Sequence, residues 1–181
     1  IPNGEIWSLE EVEKMKNFIE KAGLRWSVVE SLPVSESIKY AGPDRDQLIE
    51  NYKESLRNLG KAGVKTICYN FMPVLDWART DLEYPNPDGT SNLYFNRAEF
   101  AYFDIHILKR EGAEKDYSDE ILARVEELKK TMDEEGEKRL VENIIVKTQG
   151  FVNGNISEND LDPVQKFREL LALYDGIDAD Q

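Results

Sequence analysis

The first element that the pattern of apolar and polar residues predicts is an amphipathic helix near the start of the chain. Ser8 and Glu11 stand three residues apart, a spacing in which the serine caps the helix and the glutamate reaches back toward it. The apolar residues that follow recur at helical spacing, and they are Val12, Met15, Phe18, Ile19 and Ala22. Gly23 supplies the stop, and the β-branched and aromatic residues within 24–31 then favour a strand.

A second helix and strand repeat this order further along the chain. The helix opens at Pro43-Asp44 and is closed by Gly60 to Gly63, and residues 64–71 favour a strand. The tripeptide Lys-Ala-Gly occurs at 21–23 and again at 61–63. Helix, glycine turn, strand and loop, repeated, are typical of βα units in a parallel sheet.

The second strand has two different faces. Small polar residues alternate with bulky apolar residues along it. The small polar residues are Thr66, Cys68 and Asn70, and the bulky apolar residues are Ile67, Tyr69 and Phe71. A barrel strand whose polar face looks inward near the mouth shows this pattern, and so does a strand of an open, doubly wound sheet. No glycine-rich phosphate loop follows either strand, which argues against an open nucleotide-binding sheet.

Beyond the second strand the chain changes character. A long loop at 72–82 leads into a turn with Asp-Gly chemistry, and we expect 82–84 and 93–95 to pair across it as a hairpin. Four helices are predicted after it, at about 97–108, 118–131, 134–147 and 160–175, with Ser118 and Asp160 as caps. The highly charged stretch 109–154 is expected to be a solvated helical insertion.

Composition narrows the classes of function. The chain has 181 residues, 40% of them hydrophobic, which is room for one ordinary domain. A formal net charge of −13 works against binding phosphate backbones or anionic lipid, so neither nucleic acid nor a membrane is an expected partner. No apolar run approaches the roughly 20 residues of a membrane-spanning helix. Because the sequence starts at Ile1 and not at Met, we expect it to be a piece of a longer polypeptide.

The chain has one cysteine and one histidine. Because Cys68 is the single cysteine, the chain cannot form an internal disulfide, which fits a reducing cytoplasm. We expect Cys68 to be a small buried strand residue. His106 leaves no metal site with two histidine ligands inside this segment. It lies in the apolar helical stretch 100–108, where we expect a packing histidine with its hydrogen bonds satisfied.

Three stretches of the sequence carry a family resemblance. They are Ile-Pro-Asn-Gly-Glu-Ile-Trp at 1–7, Val-Val-Glu-Ser-Leu-Pro-Val at 28–34, and Cys-Tyr-Asn-Phe-Met-Pro-Val-Leu-Asp-Trp-Ala-Arg-Thr-Asp-Leu at 68–82. Together they resemble mannonate dehydratase, a family that dehydrates D-mannonate to 2-dehydro-3-deoxy-D-gluconate in hexuronate catabolism. Residues 107–114 are similar to the helical insertion of its longer members. The resemblance covers essentially the whole chain and about the N-terminal half of the family's usual length.

The resemblance implies an α/β fold: part of a TIM (β/α)8 barrel, with a helical insertion after the third strand. The loop at 1–4 would leave an earlier strand, residues 1–181 would be the N-terminal portion of one barrel domain, and the insertion would occupy about 97–160. A divalent metal is also implied, Mn²⁺ or Fe²⁺, with its ligands and the acid–base residues on later strands. We therefore expect no metal ligand and no catalytic residue in this segment, and a cytoplasmic homo-oligomer that acts on a small molecule.

Four residues are candidates for binding the substrate. Glu30 and Asn70 stand at the C-terminal ends of the two strands, where barrel enzymes place functional groups. A rim ion pair and a turn cap are their respective structural alternatives. Arg79, in the loop after the second strand, could grip the carboxylate of an aldonate bidentately. Asp76 lies in the same loop, and an Asp76–Arg79 pair that only holds the loop shape is the alternative.

Two other functions stay open at this point. One is a metal-dependent sugar isomerase or epimerase, because the same fold hosts both reactions. The other is a non-catalytic acidic interaction module, in which the helical region 97–175 binds a partner.

Overall fold

The structure is a computed structural model that describes residues 2–75, 77–148, 156 and 159–177. The chain forms two compact units. Unit 1 comprises Ile1–Pro73 and Gly176–Gln181, and unit 2 comprises Val74–Asp175.

The described part of unit 1 contains three helices, α1 (Leu9–Lys21), α2 (Glu36–Lys39) and α3 (Arg45–Lys61). The backbone amide of Glu11 donates to the Ser8 hydroxyl at 3.3 Å, and that hydroxyl donates to the Glu11 carboxylate at 3.1 Å. The predicted capping pair of α1 is therefore confirmed. The second predicted helix is confirmed as α3, with Asp44 at its N-cap. The short helix α2 lies in a segment for which the sequence pattern predicts no helix.

The two predicted strands of unit 1 pair in parallel, but each is only two residues long. β1 (Val28–Val29) lies beside β2 (Thr66–Ile67), with Val28 opposite Thr66 and Val29 opposite Ile67. The parallel pairing is confirmed, whereas the predicted strand lengths are wrong. Propensity favours an extended backbone, but a ladder also needs a partner on a matching course. Among the described residues neither strand has a second neighbour.

The core of unit 1 joins the helices to this strand pair. Its buried apolar residues come from the helices, the strands and the turns between them, and they are Val12, Val29, Leu32, Leu59, Ala62 and Val64. Trp7, Trp26 and Ile67 pack against this cluster. The apolar face of the second strand is covered only in part, because Tyr69 and Phe71 further along are 66% and 51% exposed.

Unit 2 begins with a β-hairpin. β3 (Asp81–Pro85) and β4 (Ser91–Tyr94) run antiparallel, which confirms the predicted hairpin. Gly89 in the connecting turn has a φ of +84°, in the left-handed region that glycine enters without a Cβ clash. The rings of Tyr84 and Tyr94 stack across the hairpin with their centroids 4.2 Å apart.

Helices make up the rest of the described part of unit 2. They are α4 (Arg97–Tyr102), which continues as a π-helix over Phe103–Leu108, a 3₁₀ turn (Ala113–Asp116), α5 (Asp119–Thr131), α6 (Glu134–Val141), which continues as a π-helix over Glu142–Lys147, and α7 (Pro163–Ala172). The four predicted helices are confirmed, and Ser118 is the N-cap of α5. The predicted cap Asp160 is wrong. Asp162 caps α7 because Pro163 behind it suits the first helical position, and Asp160 instead pairs with Lys166 at 2.8 Å.

The α-helices and π-helices of this list all contribute to one apolar core in unit 2. Its buried members are Val74, Ala101, Tyr102, Phe103, Leu108, Val125, Leu140, Ile144, Ile145 and Phe167. The charged stretch predicted to be solvated therefore also supplies core residues, because each helix there has an apolar face. No helix in the described part of the chain is both long enough and apolar enough to cross a membrane.

Candidate functional site

The segments that leave β1 and β2 lie at the same edge of the strand pair. Glu30 follows β1 directly, and Asn70 lies shortly beyond β2. Two backbone hydrogen bonds continue the pairing past the ladder: the Cys68 amide donates to the Val29 carbonyl at 2.9 Å, and the Leu32 amide donates to the Cys68 carbonyl at 3.2 Å. The structure thus brings together the two strand-end candidates of unit 1.

Asn70 contacts the end of the neighbouring strand through its side chain. It is half-buried, and its Nδ2 donates to Oγ of Ser31 at 3.2 Å. Ser31 adjoins Glu30, and the peptide bond between those two residues is cis. The bond from Asn70 crosses to the segment after β1 and does not cap a local turn. A ligand at this edge would therefore meet an amide whose side chain is already oriented.

Glu30 is exposed, and it forms no hydrogen bond or ion pair with any residue that the structure describes. The alternative of a rim ion pair thus has no partner within that part of the chain. An open carboxylate next to a hydrogen-bonded Ser31–Asn70 pair can accept hydrogen bonds from the hydroxyls of a ligand.

A buried ion pair contacts the segment that leaves β2, and the sequence analysis missed it. Nζ of Lys39 lies 2.6 Å from Oε1 of Glu36, and the two side chains are 4% and 10% exposed. The same ammonium donates to the backbone carbonyl of Met72 at 3.2 Å. The only signal in the sequence is a glutamate and a lysine three residues apart, a spacing that is usually found on exposed helices.

Arg79 and Asp76 belong to unit 2. The Arg79 guanidinium stacks over the Trp77 ring, 4.6 Å from its centroid, and its Nη1 donates to the carbonyl of Ala78 at 2.7 Å. Stacking of this kind orients the planar guanidinium and leaves further N–H donors for a carboxylate. Asp76 lies outside the described residues, so its predicted contact with the substrate stays a prediction, and the alternative of an Asp76–Arg79 pair stays open.

A network of polar side chains in unit 2 surrounds Asp104. Nε and Nη2 of Arg110 donate to its two carboxylate oxygens at 3.0 and 2.7 Å, and the Tyr117 hydroxyl donates at 2.8 Å. The hydrogen bond to Asp104 raises the pKa of Arg110. Burial, followed by the hydrogen bond to Asp104, raises the pKa of Tyr117 well above its ordinary value. Because each charge in this network has a partner, we expect a structural role for it, and removing one member should destabilise the fold.

The structure corrects both expectations about the single cysteine and histidine. Cys68 is exposed, because it follows a two-residue strand that pairs only with β1 among the described residues. His106 does pack, with its ring centroid 5.0 Å from that of Tyr102, but its buried Nε2 has no hydrogen-bond partner among the described residues. Tyr102 donates to Glu137 at 2.7 Å, and burial together with this bond raises the pKa of Tyr102 to about 12.

The described residues do not form a metal centre. Nowhere in that part of the chain do three or more histidine, cysteine, aspartate or glutamate side chains come together so that they could hold a metal ion. Cys68 is not part of such a cluster, and neither is Glu30. The groups that gather at the strand ends are donors and acceptors of hydrogen bonds.

In this chain, polar side chains collect at the carboxyl ends of two paired parallel strands. This arrangement is typical of α/β proteins, which form their ligand sites at that edge of the sheet. Within this class the family is shown directly. The family model of D-mannonate dehydratase (UxuA) matches residues 1–181, so the chain belongs to that family.

Curated relatives agree with this assignment. A mannonate dehydratase of Marinomonas sp. (strain MWYL1) is 47% identical over 181 residues, and one of Saccharophagus degradans is 45% identical over 170 residues. These alignments cover 100% and 94% of this chain, but only 44% and 43% of the relatives. The chain thus spans less than half the length of the curated relatives it matches. The resemblance found in the sequence is confirmed.

A solved structure is also similar to this chain. The crystal structure of mannonate dehydratase from Streptococcus suis serotype 2 matches with a TM-score of 0.54 and 34% identity, over 97% of this chain and 41% of that one. The α/β fold class is confirmed by this match. Neither alternative function, the sugar isomerase or epimerase and the acidic interaction module, finds support in these comparisons.

Proposed function

We propose that this chain is part of a mannonate dehydratase, a hydro-lyase that removes water from D-mannonate to give 2-dehydro-3-deoxy-D-gluconate. Family membership over residues 1–181 and the names of the relatives support the reaction. The observation that carries the site is the hydrogen bond from Asn70 to Ser31, because it gathers polar groups beside Glu30 at the carboxyl ends of two parallel strands.

Each candidate residue suits one part of a polyhydroxylated acid. The open carboxylate of Glu30 accepts hydrogen bonds from substrate hydroxyls, and the amide of Asn70 supplies both a donor and an acceptor. In unit 2, the stacked guanidinium of Arg79 binds the substrate carboxylate through two parallel hydrogen bonds. Asp76, in the same loop, is a further candidate for contact with the substrate.

The reaction removes the C2 proton and expels the C3 hydroxyl as water, and the resulting enol ketonises to the product. In this proposal the base and the acid for these steps lie outside residues 1–181. The ligands of the Mn²⁺ or Fe²⁺ ion that the family resemblance implies are placed there too in this proposal. Residues 1–181 bind and orient the substrate.

The proposed fold of the whole enzyme is a TIM barrel, and the uncovered sides of unit 1 support it. Among the described residues β1 and β2 pair only with each other, whereas parallel strands occur almost only in larger sheets covered on both faces. Exposed Tyr69 and Phe71 line an apolar groove together with Ile49 of α3. Further βα units would pair the strand edges and cover these faces. Residues 1–181 would then be the N-terminal portion of one barrel domain in a cytoplasmic homo-oligomer, with the helical insertion at about 97–160.

The test uses the full-length polypeptide. It is incubated with D-mannonate and Mn²⁺, Fe²⁺ or a chelator, and formation of a 2-keto-3-deoxy acid is followed. We expect product with metal and none with chelator. Glu30→Ala, Asn70→Ala and Arg79→Ala are expected to raise KM, Arg79→Ala most strongly because it loses two hydrogen bonds to one carboxylate.

Two results would contradict the proposal. A folded, metal-loaded full-length protein that forms no product would refute the reaction. Turnover by residues 1–181 alone would refute the placement of the acid, the base and the metal ligands outside this segment.

A further inference from the structure

The buried ammonium of Lys39 holds a main-chain segment next to the candidate site. Its side chain is 4% exposed and faces the Glu36 carboxylate at 2.6 Å. A buried ion pair is weak evidence for stability, because desolvation offsets most of the attraction between the charges. In some proteins such a pair instead fixes the local geometry.

A further hydrogen bond of Lys39 indicates which part of the backbone the ion pair holds in place. Nζ of Lys39 donates to the Met72 carbonyl at 3.2 Å, and Met72 comes two residues after Asn70. Asn70 is itself bound to Ser31 at 3.2 Å. The segment that leaves β2 is therefore held at two points, once through a side chain and once through its backbone.

Both points of attachment lie in the segment that leaves β1. Ser31 is at its start, and Lys39 is the last residue of α2, the short helix within it. Lys39 thus connects the segment after β1 to the segment after β2 at a point where the sheet ladder has ended. If this connection were lost, the backbone beyond Asn70 would lose the hydrogen bond that the structure records at Met72.

We infer that Lys39 is a positioning residue that orients Asn70 for substrate binding by holding the Met72 carbonyl, with Glu36 neutralising its buried charge. The inference rests on the proposed function, because that proposal assigns Asn70 to the substrate.

The test compares two double variants of the full-length polypeptide. Lys39→Met with Glu36→Gln removes the ammonium together with the negative charge that it faces. The matched control is Lys53→Met with Glu50→Gln, a pair on α3 with the same three-residue spacing and a 2.7 Å contact but with side chains that are 50% and 59% exposed.

We expect the Lys39 double variant to raise KM for D-mannonate by about tenfold with kcat nearly unchanged, roughly the effect of one lost hydrogen bond. Asn70→Ala is expected to raise KM to a similar extent, and adding it to the Lys39 double variant should raise KM little further, because both changes disable the same contact. The control variant should keep the parental KM. A lower melting temperature with unchanged KM, or fully additive effects with Asn70→Ala, would overturn the inference.

A second measurement does not depend on turnover. Amide hydrogen exchange is compared in peptides that cover 66–75, and it should be faster in the Lys39 double variant and unchanged in the control. Unchanged exchange in both variants would refute the positioning role even if the enzyme is active. Absence of turnover by the parent protein would instead refute the proposed function and, with it, the substrate role of Lys39.

Discussion

Replacing Asp104 by asparagine is expected to destabilise unit 2 strongly. The Asp104 side chain is 6% exposed and accepts three hydrogen bonds, two from Arg110 and one from Tyr117. Asparagine keeps the size of the side chain but removes the charge and one acceptor oxygen. Its amide hydrogens then face either the Arg110 guanidinium, which can only donate, or the Tyr117 hydroxyl, which would have to rotate in order to accept.

The size of the expected stability loss follows from how deeply the Asp104 and Arg110 side chains are buried. A hydrogen bond to a charged group contributes about 1.5–3 kcal/mol, and removing one member of a buried pair costs about 3–5 kcal/mol. The Arg110 side chain is 37% exposed, so water partly replaces what it loses and the upper end does not apply. We expect Asp104→Asn to lower the free energy of unfolding by about 2–4 kcal/mol.

Asp116→Asn is the matched control, because the same Nη2 of Arg110 contacts Asp116 at the same 2.7 Å. The Asp116 side chain is 60% exposed, so the expected loss is below about 1 kcal/mol. Urea unfolding measures both losses, and amide hydrogen exchange in peptides from each unit shows where stability changes. Equal losses in the two variants would refute the argument that burial sets the strength of this network.

Three further substitutions test other contacts. His106→Phe removes a buried nitrogen that has no partner among the described residues. The free energy of unfolding, measured in thermal melts, should therefore rise by about 1 kcal/mol. A marked decrease would show that Nε2 is bound. The parent protein should lose stability as the pH rises from 10 to about 12, because Tyr102 ionises in the unfolded chain while burial and its bond to Glu137 keep it protonated in the fold. Tyr102→Phe should lack this part of the decline. Identical pH profiles of stability for the two proteins would contradict the prediction. Ser8→Ala should lower stability by about 1 kcal/mol through loss of the α1 cap, with Ser8→Asp restoring it in the same melts.

The helices and the hairpin could be predicted because their signals are local. Ser8 and Ser118 mark helix starts through bonds to backbone amides three residues ahead. The Asp-Gly turn at Gly89 sets the hairpin through a backbone conformation that the sequence itself favours. Cap residues, turn residues and periodic apolar positions act over a few residues, so one sequence is enough to recognise them.

Strand length and buried charge could not be predicted, because both depend on residues distant in the sequence. The strand signal at 24–31 is strong, yet the ladder covers only Val28–Val29, since pairing needs a neighbouring strand as well as propensity. Lys39 and Glu36 look like an exposed helical pair in the sequence. Their burial and the bond to Met72 depend on a segment 33 residues away.

The Asp104–Arg110 pair escaped prediction for a different reason. The two residues are six apart, which is not a spacing that places side chains on one face of an α-helix. The π-helical turns after α4 change this register, and Lys109 then adopts a φ of +57° that reverses the chain. The backbone amide of Arg110 consequently donates to the carbonyl of Asp104 at 3.2 Å, which returns its side chain to the carboxylate.

The same kind of contact explains how the candidate site keeps its geometry beside so short a ladder. Past the two paired positions of β1 and β2, the Leu32 amide still bonds to the Cys68 carbonyl. Further along, the contacts pass to side chains: Asn70 to Ser31, and then Lys39 to the Met72 carbonyl. The strand ends are therefore aligned by polar side chains where backbone pairing has stopped. Because a single side-chain hydrogen bond contributes only about 0.5–1.5 kcal/mol to folding, Asn70→Ala should change ligand binding more than it changes stability. A single substitution of Lys39 removes one member of a buried ion pair and should lower stability as well.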